Sequence, residues 1–366
     1  MHVLANSAGT GTCTWRRIMK ILVVASLFIC ALVAAYIVLR PSTHRTSFSS
    51  SSPAVRMSTI SDGNANSKKA RQDYTSWLRF HEQTGNTSQS LTLNGDLRRR
   101  PPDFIVIGAR KCGTRALLVM LNIHPRVVAG GPEVHYFDRD NNYQRGLRWY
   151  VNHMKLSSVG QLTGEKSPSY FITHGVPQRI KNYSRTVGKD VKLLLIVRDP
   201  VDRVVSDYTQ GLTKRKLSIS KTRQIQEDFR GHALLRSGEV NEDWSAVRIG
   251  RYSDHLARWY QTFRKEQIHI VNGDTLIANP VKEMKKVSSF LGLGNDFDWN
   301  DYLYFNKTRG FYCLNQNGRP PSCLGNSKGR PHPQVKQYIL EKLRNYYRPY
   351  NRQFKTMTKL KVDWPV

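Results

Sequence analysis

The chain has 366 residues, enough for one large domain with appendages or for two small ones, and a core of that size needs no disulfide framework. Lys and Arg number 57 against 27 Asp and Glu, a net charge of +30. A surplus this large exceeds what solubility requires and implies a polyanionic partner: nucleic acid, an anionic membrane or an acidic polysaccharide.

Residues 1–20 read as a cytoplasmic tail, ending in Arg16, Arg17 and Lys20. Residues 21–39 form an uncharged apolar run; at about 1.5 Å per residue it matches one bilayer core, and it reads as a transmembrane signal-anchor. The competing reading, a cleaved signal peptide, needs a small-residue cleavage site, for which Ala34–Ala35 is a poor candidate. Residues 40–100 are rich in Ser, Thr, Asn and charge and read as a largely disordered lumenal stem. Asn86, Asn182 and Asn306 each begin a glycosylation sequon. A single-pass chain with its C-terminal part in the lumen leaves nucleic acid out and sulfated glycosaminoglycan in as the polyanion. The short span suits the thinner membranes of the early secretory route, pointing to the Golgi.

From 101 to 366 apolar runs alternate with helical patterns, which predicts an α/β domain on a central parallel sheet. Asp103–Ile107 reads as a strand, Gly108–Arg115 as a loop and Ala116–Leu121 as a helix. Such a loop turns backbone N–H groups inward at the positive end of a helix dipole and cradles phosphate. It departs from the nucleotide P-loop, because Lys111 precedes Gly113 and no Lys-Ser/Thr follows that glycine; this favours a metal-free cradle. Arg126–Ala129 reads as a short strand leading into Glu133–Asp138. If that stretch is itself a strand, Glu133 and His135 share one face, a carboxylate and an imidazole suited to deprotonating a sugar hydroxyl. Glu165–Tyr170 reads as a short polar stretch beside a turn, with Lys166 available to a sulfate. Val191–Val197 is a buried strand, after which Pro200 starts a helix. At that strand's carboxyl end Arg198 can fork onto a second phosphate, with the Ser206 hydroxyl beyond it; the alternative is a pair with Asp199 or Asp202.

Lys214–Arg236 is basic without clean periodicity and reads as a surface loop and short helix. Trp244 beside Asp243 and Ser245 offers a surface on which sugars pack. Tyr252, Leu256, Trp259, Tyr260 and Phe263 keep helical spacing and read as core. Ile268–Val271 is another strand, Val281–Leu291 an amphipathic helix stopping near Gly292, and Pro333–Tyr347 a last helix with Val335, Ile339, Leu340 and Leu343 inward. Cys13 and Cys30 lie in the N-terminal region. Cys313 and Cys323 would close a small loop in an oxidising compartment and would be free thiols in the cytosol. Tyr312 is placed to stack on a purine. Lys328–His332 sets a glycine between cations, as anion-binding backbone requires. No metal-ligand spacing is present, and none is predicted to be required.

In combination these motifs resemble one family, the heparan sulfate glucosamine 3-O-sulfotransferases. The resemblance rests on Lys111–Leu118, Glu133–Asp138, Glu165–Pro168, Val197–Pro200, Ser206–Gln210, Tyr304–Cys313, Cys323 and Ser327–Pro333, in that order. It implies one Golgi-anchored α/β sulfotransferase domain, with 3′-phosphoadenosine 5′-phosphosulfate as sulfo donor and heparan sulfate as acceptor. Lys111, Cys112, Gly113, Thr114 and Arg115 would hold the 5′-phosphosulfate, and Arg198 and Ser206 the 3′-phosphate. Lys328, Gly329, Arg330, Pro331 and His332 would close over the nucleotide, behind a Cys313–Cys323 bridge. Glu133 would be the general base, supported by His135 and Asp138. Lys166, Arg139, Ser167, Pro168, Ser169, Gln210, Trp244 and Ser245 would line the glycan cleft. Cys112 stands where many members carry Gly and is expected as an exposed, redox-sensitive thiol. Competing readings are a sulfotransferase for chondroitin or protein tyrosine, a sugar kinase, and a non-catalytic heparan-binding membrane protein. The acceptor's neighbouring uronic acid and N-substituent, and the oligomeric state, are not legible.

Overall fold

A computed structural model describes residues 96–214, 222–316, 319–323 and 332–366. The predicted tail, anchor and most of the stem, with Cys13, Cys30 and Asn86, lie outside the described residues, as do Lys328–Pro331. Among the described residues no helix is long and apolar enough to cross a membrane.

The described chain opens with β1 (Arg98–Arg99), then β2 (Phe104–Gly108), α1 (Thr114–Leu121) and β3 (Val127–Ala129). Next come α2 (Asp140–Tyr143), α3 (Gly146–Val151), β4 (Leu156–Ser157), β5 (Leu162–Lys166), α4 (Val176–Val187) and β6 (Lys192–Val197). The second half holds α5 (Pro200–Lys214), α6 (Thr222–Ala233), α7 (Ser245–Ile249), α8 (Tyr252–Tyr260) and β7 (Ile268–Asn272). It ends with α9 (Gly273–Ala278), α10 (Pro280–Leu291), β8 (Leu303–Asn306), β9 (Phe311–Gln316), β10 (Arg319–Ser322) and α11 (Gln337–Thr358).

Five strands form a parallel sheet in the order β3-β5-β2-β6-β7. The uninterrupted apolar residues of β2 and β6 place them at its centre, buried on both faces. The register sets Val106 of β2 beside Lys166 of β5 and Gly108 beside Leu195 of β6, so the loops leaving these three strands converge at one sheet edge. Tyr252, Leu256, Trp259 and Phe263 are buried, as their spacing predicts. Gly292 ends α10 in the left-handed conformation at φ 77°.

Several expectations need correction. Glu133–Asp138 is not a strand: it is a loop and turn, with His135 at φ 51°. Glu165 and Lys166 belong to β5, whose strand signal is masked by Gly164 and the charged pair. The last helix is longer than expected, Gln337–Thr358, and runs through Pro349, which is exposed, while Tyr347, Asn351 and Phe354 are buried around it. The helix expected after Lys214 is present as α6, three turns long, and it is anchored to the core by buried Ile225 and Phe229. The small antiparallel sheet β10-β9-β8 has no counterpart in the sequence reading. It carries the Cys313–Cys323 disulfide, whose Cα atoms are 4.5 Å apart.

Candidate active site

The phosphate loop is built as its sequence predicts. Gly113, at φ 104°, caps α1 without a side-chain hydrogen bond, and the first turn of that helix holds no acid. Its leading N–H groups and dipole are therefore available to an anion. Lys111 adopts φ 73°, and the Cys112 N–H bonds back to Ala109 at 3.1 Å, closing the turn. Cys112 is not the exposed thiol expected: it is 1% exposed, its Sγ lies 3.4 Å from the Tyr252 hydroxyl, and burial pushes its thiol pKa up. Tyr252 in turn donates to the Arg198 carbonyl at 3.0 Å. The chain Cys112–Tyr252–Arg198 thus ties the loop after β2 to the end of β6.

Arg198 does pair with a carboxylate, but mainly with one that sequence reasoning missed. Its Nε lies 3.2 Å from Asp274 on α9, and its Nη2 lies 3.7 Å from Asp202. Asp274 also accepts from the Asp199 N–H at 3.2 Å and from the Trp364 indole at 2.8 Å, so it is a fixed anchor. Asp199 itself caps the start of α5, accepting from Val201 at 2.7 Å. His332 is held below the usual imidazole range by burial and by the nearby charges of Arg198 and Lys111, against Asp202. These three groups, distant in sequence, share one neighbourhood. An uncapped helix N-terminus flanked by Lys111, Arg198 and His332 fits the phosphates of a nucleotide. Ser206 sits half-buried on α5. Tyr312 is half-buried on β9, edge-on to Phe305 at 5.4 Å.

On the β5 side the expected acid–base group assembles even though its segment is a turn. Glu133 forms an ion pair with Lys166 and lies 3.4 Å from His135 Nε2. His135 Nδ1 lies 2.8 Å from Asp138. Asn142 Nδ2 donates to the carbonyls of Val134 and His135 at 3.1 and 3.0 Å, which holds the turn. Beneath it the His135 N–H donates to Ser167 Oγ at 3.1 Å, and Ser167 donates to Glu165 at 3.0 Å. Tyr150 donates to the other Glu165 oxygen at 3.0 Å. Burial pushes the Glu165 carboxyl up to about 7, against the pull of hydrogen bonds from Tyr170, Ser167 and Tyr150. Ser167 and Pro168 are buried, so they support the site from below and do not line a glycan cleft. Ser169 is half-buried, and Arg139 is exposed at the start of α2.

Gln210, Trp244 and Ser245 do come together. With Arg110 and His232 they line a cleft of about 430 Å³, where His232 stacks on Trp244 at 5.5 Å. Arg110 is held there by Asp207 at 2.8 Å. A larger recess of about 550 Å³ beside Glu239, Glu242 and Lys342 contains none of the predicted site residues.

A phosphate loop at the head of a parallel sheet, with the lysine that ends the adjacent strand paired to a loop carboxylate, suits group transfer from a nucleotide. The family model for the sulfotransferase domain matches residues 101–361, which defines the protein as a sulfotransferase. Heparan sulfate glucosamine 3-O-sulfotransferase 5 of Mus musculus is 43% identical over 290 residues, covering 78% of this chain and 81% of that protein; the Homo sapiens protein gives the same figures. Heparan sulfate glucosamine 3-O-sulfotransferase 6 of Homo sapiens is 44% identical over 273 residues, covering 74% and 76%. The chain belongs to the heparan sulfate glucosamine 3-O-sulfotransferase family.

Proposed function

We propose that this protein transfers a sulfo group from 3′-phosphoadenosine 5′-phosphosulfate to the 3-hydroxyl of a glucosamine in heparan sulfate, with Glu133 as general base. The observation that carries the reading is the Glu133 carboxylate, held between His135 of its own turn and Lys166, the last residue of the strand next to the one feeding the phosphate loop. The donor, when bound, supplies a sulfo group activated by a phosphate leaving group. Lys111, the α1 N–H groups, Thr114 and Arg115 hold the 5′ end, while Arg198 and Ser206 hold the 3′-phosphate. Tyr312 and the Lys328–His332 segment would cover the nucleotide, and Cys313–Cys323 braces the β9–β10 hairpin. Glu133 takes the hydroxyl proton as the sugar oxygen bonds to sulfur and the bond from sulfur to the phosphate oxygen breaks. Lys111 and the loop N–H groups meet the charge that develops on the leaving oxygen. Lys166 orients Glu133 and can turn toward the transferring group. His135, 3.4 Å from Glu133 and 2.8 Å from Asp138, fixes the base from its other side. Gln210, Trp244, Ser245 and Arg139 contact the glycan.

Glu133→Gln tests this. Transfer is expected to fall by at least about 100-fold, with binding of the desulfated nucleotide product nearly unchanged; a largely active variant refutes it. Comparing heparan sulfate with chondroitin and a tyrosine peptide tests the acceptor.

The same proposal extends to topology: anchoring through residues 21–39, a cytoplasmic tail, a lumenal stem over 40–100 and a Golgi-lumenal catalytic domain. Its support is the uncharged run itself, the sequons, and the disulfide, which belongs to an oxidising compartment. Protease protection of the C-terminal part in intact vesicles is the expected result.

A further inference from the structure

The surface of α11 carries charge that the catalytic reading does not use. Arg344, Arg348, Arg352 and Lys355 recur at intervals of four, four and three residues, and Lys359 at the helix C-cap continues the row. This spacing sets them on one stripe, about 22 Å long at 1.5 Å per residue. The opposite face is spent in the core through Ile339, Leu343, Tyr347 and Phe354. Residues 342–362 include seven Lys and Arg and no acid. Some surface cations elsewhere have partners, as Lys189 has Asp103, Arg264 has Asp190 and Lys336 has Glu227. None of the five in the row has an ion pair among the described residues. Like charges at these spacings destabilise a helix. The helix dipole offsets this for Lys355 and Lys359 in the last turn, but not for the three arginines before them.

We propose that the row from Arg344 to Lys359 is a second binding surface for a sulfated glycan, separate from the acceptor cleft, where a flanking stretch of heparan sulfate is held. This rests on the acceptor reading above. The form of the row selects the ligand. A straight line of cations matches a linear polyanion, and counterion release from such a chain drives binding. A membrane-surface helix would instead present apolar residues beside its cations. Here the neighbours on the solvent side are Asn345, Pro349, Gln353 and Thr356, all exposed. None of the row lines the cleft, yet the two are neighbours: α11 packs on α7, with the Tyr347 hydroxyl donating to the Val247 carbonyl at 2.8 Å, and the cleft residues Trp244 and Ser245 stand at the start of that helix.

The test compares the full chain with Arg348→Gln/Arg352→Gln, using full-length heparan sulfate and an N-sulfated octasaccharide. Both changes are exposed, so the thermal midpoint should be unchanged. Affinity for the long chain should fall roughly tenfold near physiological salt, and its log–log salt slope should drop by about 1.5. Transfer to the octasaccharide should keep its kcat/KM. An unaltered slope and affinity for the long chain overturn the proposal, and so does an equal loss of octasaccharide transfer. A loss confined to phosphatidylserine vesicles assigns the row to a membrane and also overturns it. Failure of the acceptor reading shows separately, as wild-type chain that transfers nothing to the octasaccharide.

Discussion

Glu165 gives the sharpest test of how the site is supported. It is 2% exposed in β5, with one oxygen taking the Tyr150 hydroxyl and the other the Ser167 hydroxyl. Because an ionised Glu165 can only accept, Ser167 must donate inward, which leaves its oxygen free to receive the His135 N–H. Burial raises the carboxyl from the ordinary 4.5 to about 7. The folded protein therefore holds a proton that the unfolded chain has released between those values, and stability falls as pH rises through that window. Between pH 5 and pH 8 the loss expected from this group is on the order of 2–3 kcal/mol. Glu165→Gln keeps the shape and removes the titration. Urea unfolding of both proteins at pH 5, 6, 7 and 8 should show the variant gaining roughly 2–3 kcal/mol on wild type across the series. All other groups cancel in the difference. Two parallel pH curves would refute the reasoning, since they would mean that Glu165 stays ionised in the folded state throughout.

Two further outcomes follow from the nucleotide side. A Cβ at Gly273 would meet Arg198 Cγ at 2.6 Å, the Val197 carbonyl at 2.7 Å and the Cys112 carbonyl at 2.9 Å. Gly273→Ala should therefore shift Arg198 and weaken product-nucleotide binding roughly tenfold, about 1.4 kcal/mol by calorimetry, with glycan affinity unchanged; unaltered nucleotide affinity would contradict the packing. Cys112 should resist a thiol reagent in the native protein and react once denaturant is added, followed by peptide mapping. Rapid native labelling would show that its burial against Tyr252 is wrong.

What was legible in the sequence is what apolar pattern and punctuation encode. The runs of β2, β6 and β7, the Pro200 start, the Gly292 stop and the α8 core spacing all declare themselves locally. The loop from Gly108 to Arg115 does so as well, because anion binding at a helix N-terminus needs a particular order of glycine and cation. β5 is hidden because its burial is polar: Gly164 lies so close to the Phe104 ring that a Cβ would sit 2.1 Å from it, and Glu165 is buried only through hydroxyls from other elements. The turn of Glu133–Asp138 is likewise set from outside, by Asn142 and Ser167. Asp274, which anchors Arg198 from 76 residues away, has no local signal at all. The chemistry-bearing residues could be read singly; their supports could not, because most of them depend on how separate segments pack, as with Asp274, Tyr150 and the Ser167 contact to His135.

The sheet order then explains how two separately legible motifs become one site. On the proposed assignment the acceptor group belongs to the β3 and β5 side, through the Glu133 turn and Lys166. The nucleotide group belongs to β2, β6 and the start of α9, through Lys111, Arg198 and Asp274. β5 and β2 are adjacent and parallel, with Val106 beside Lys166, so both groups leave the sheet at the same edge, one strand spacing apart. Sulfo transfer then needs to cross only that boundary. On this assignment the acceptor hydroxyl would approach from the β5 side and the leaving oxygen would lie toward the loop after β2. A parallel pair is what makes this work: had β5 run antiparallel to β2, Lys166 would emerge at the far edge, and Glu133 would have no cation opposite the phosphate loop.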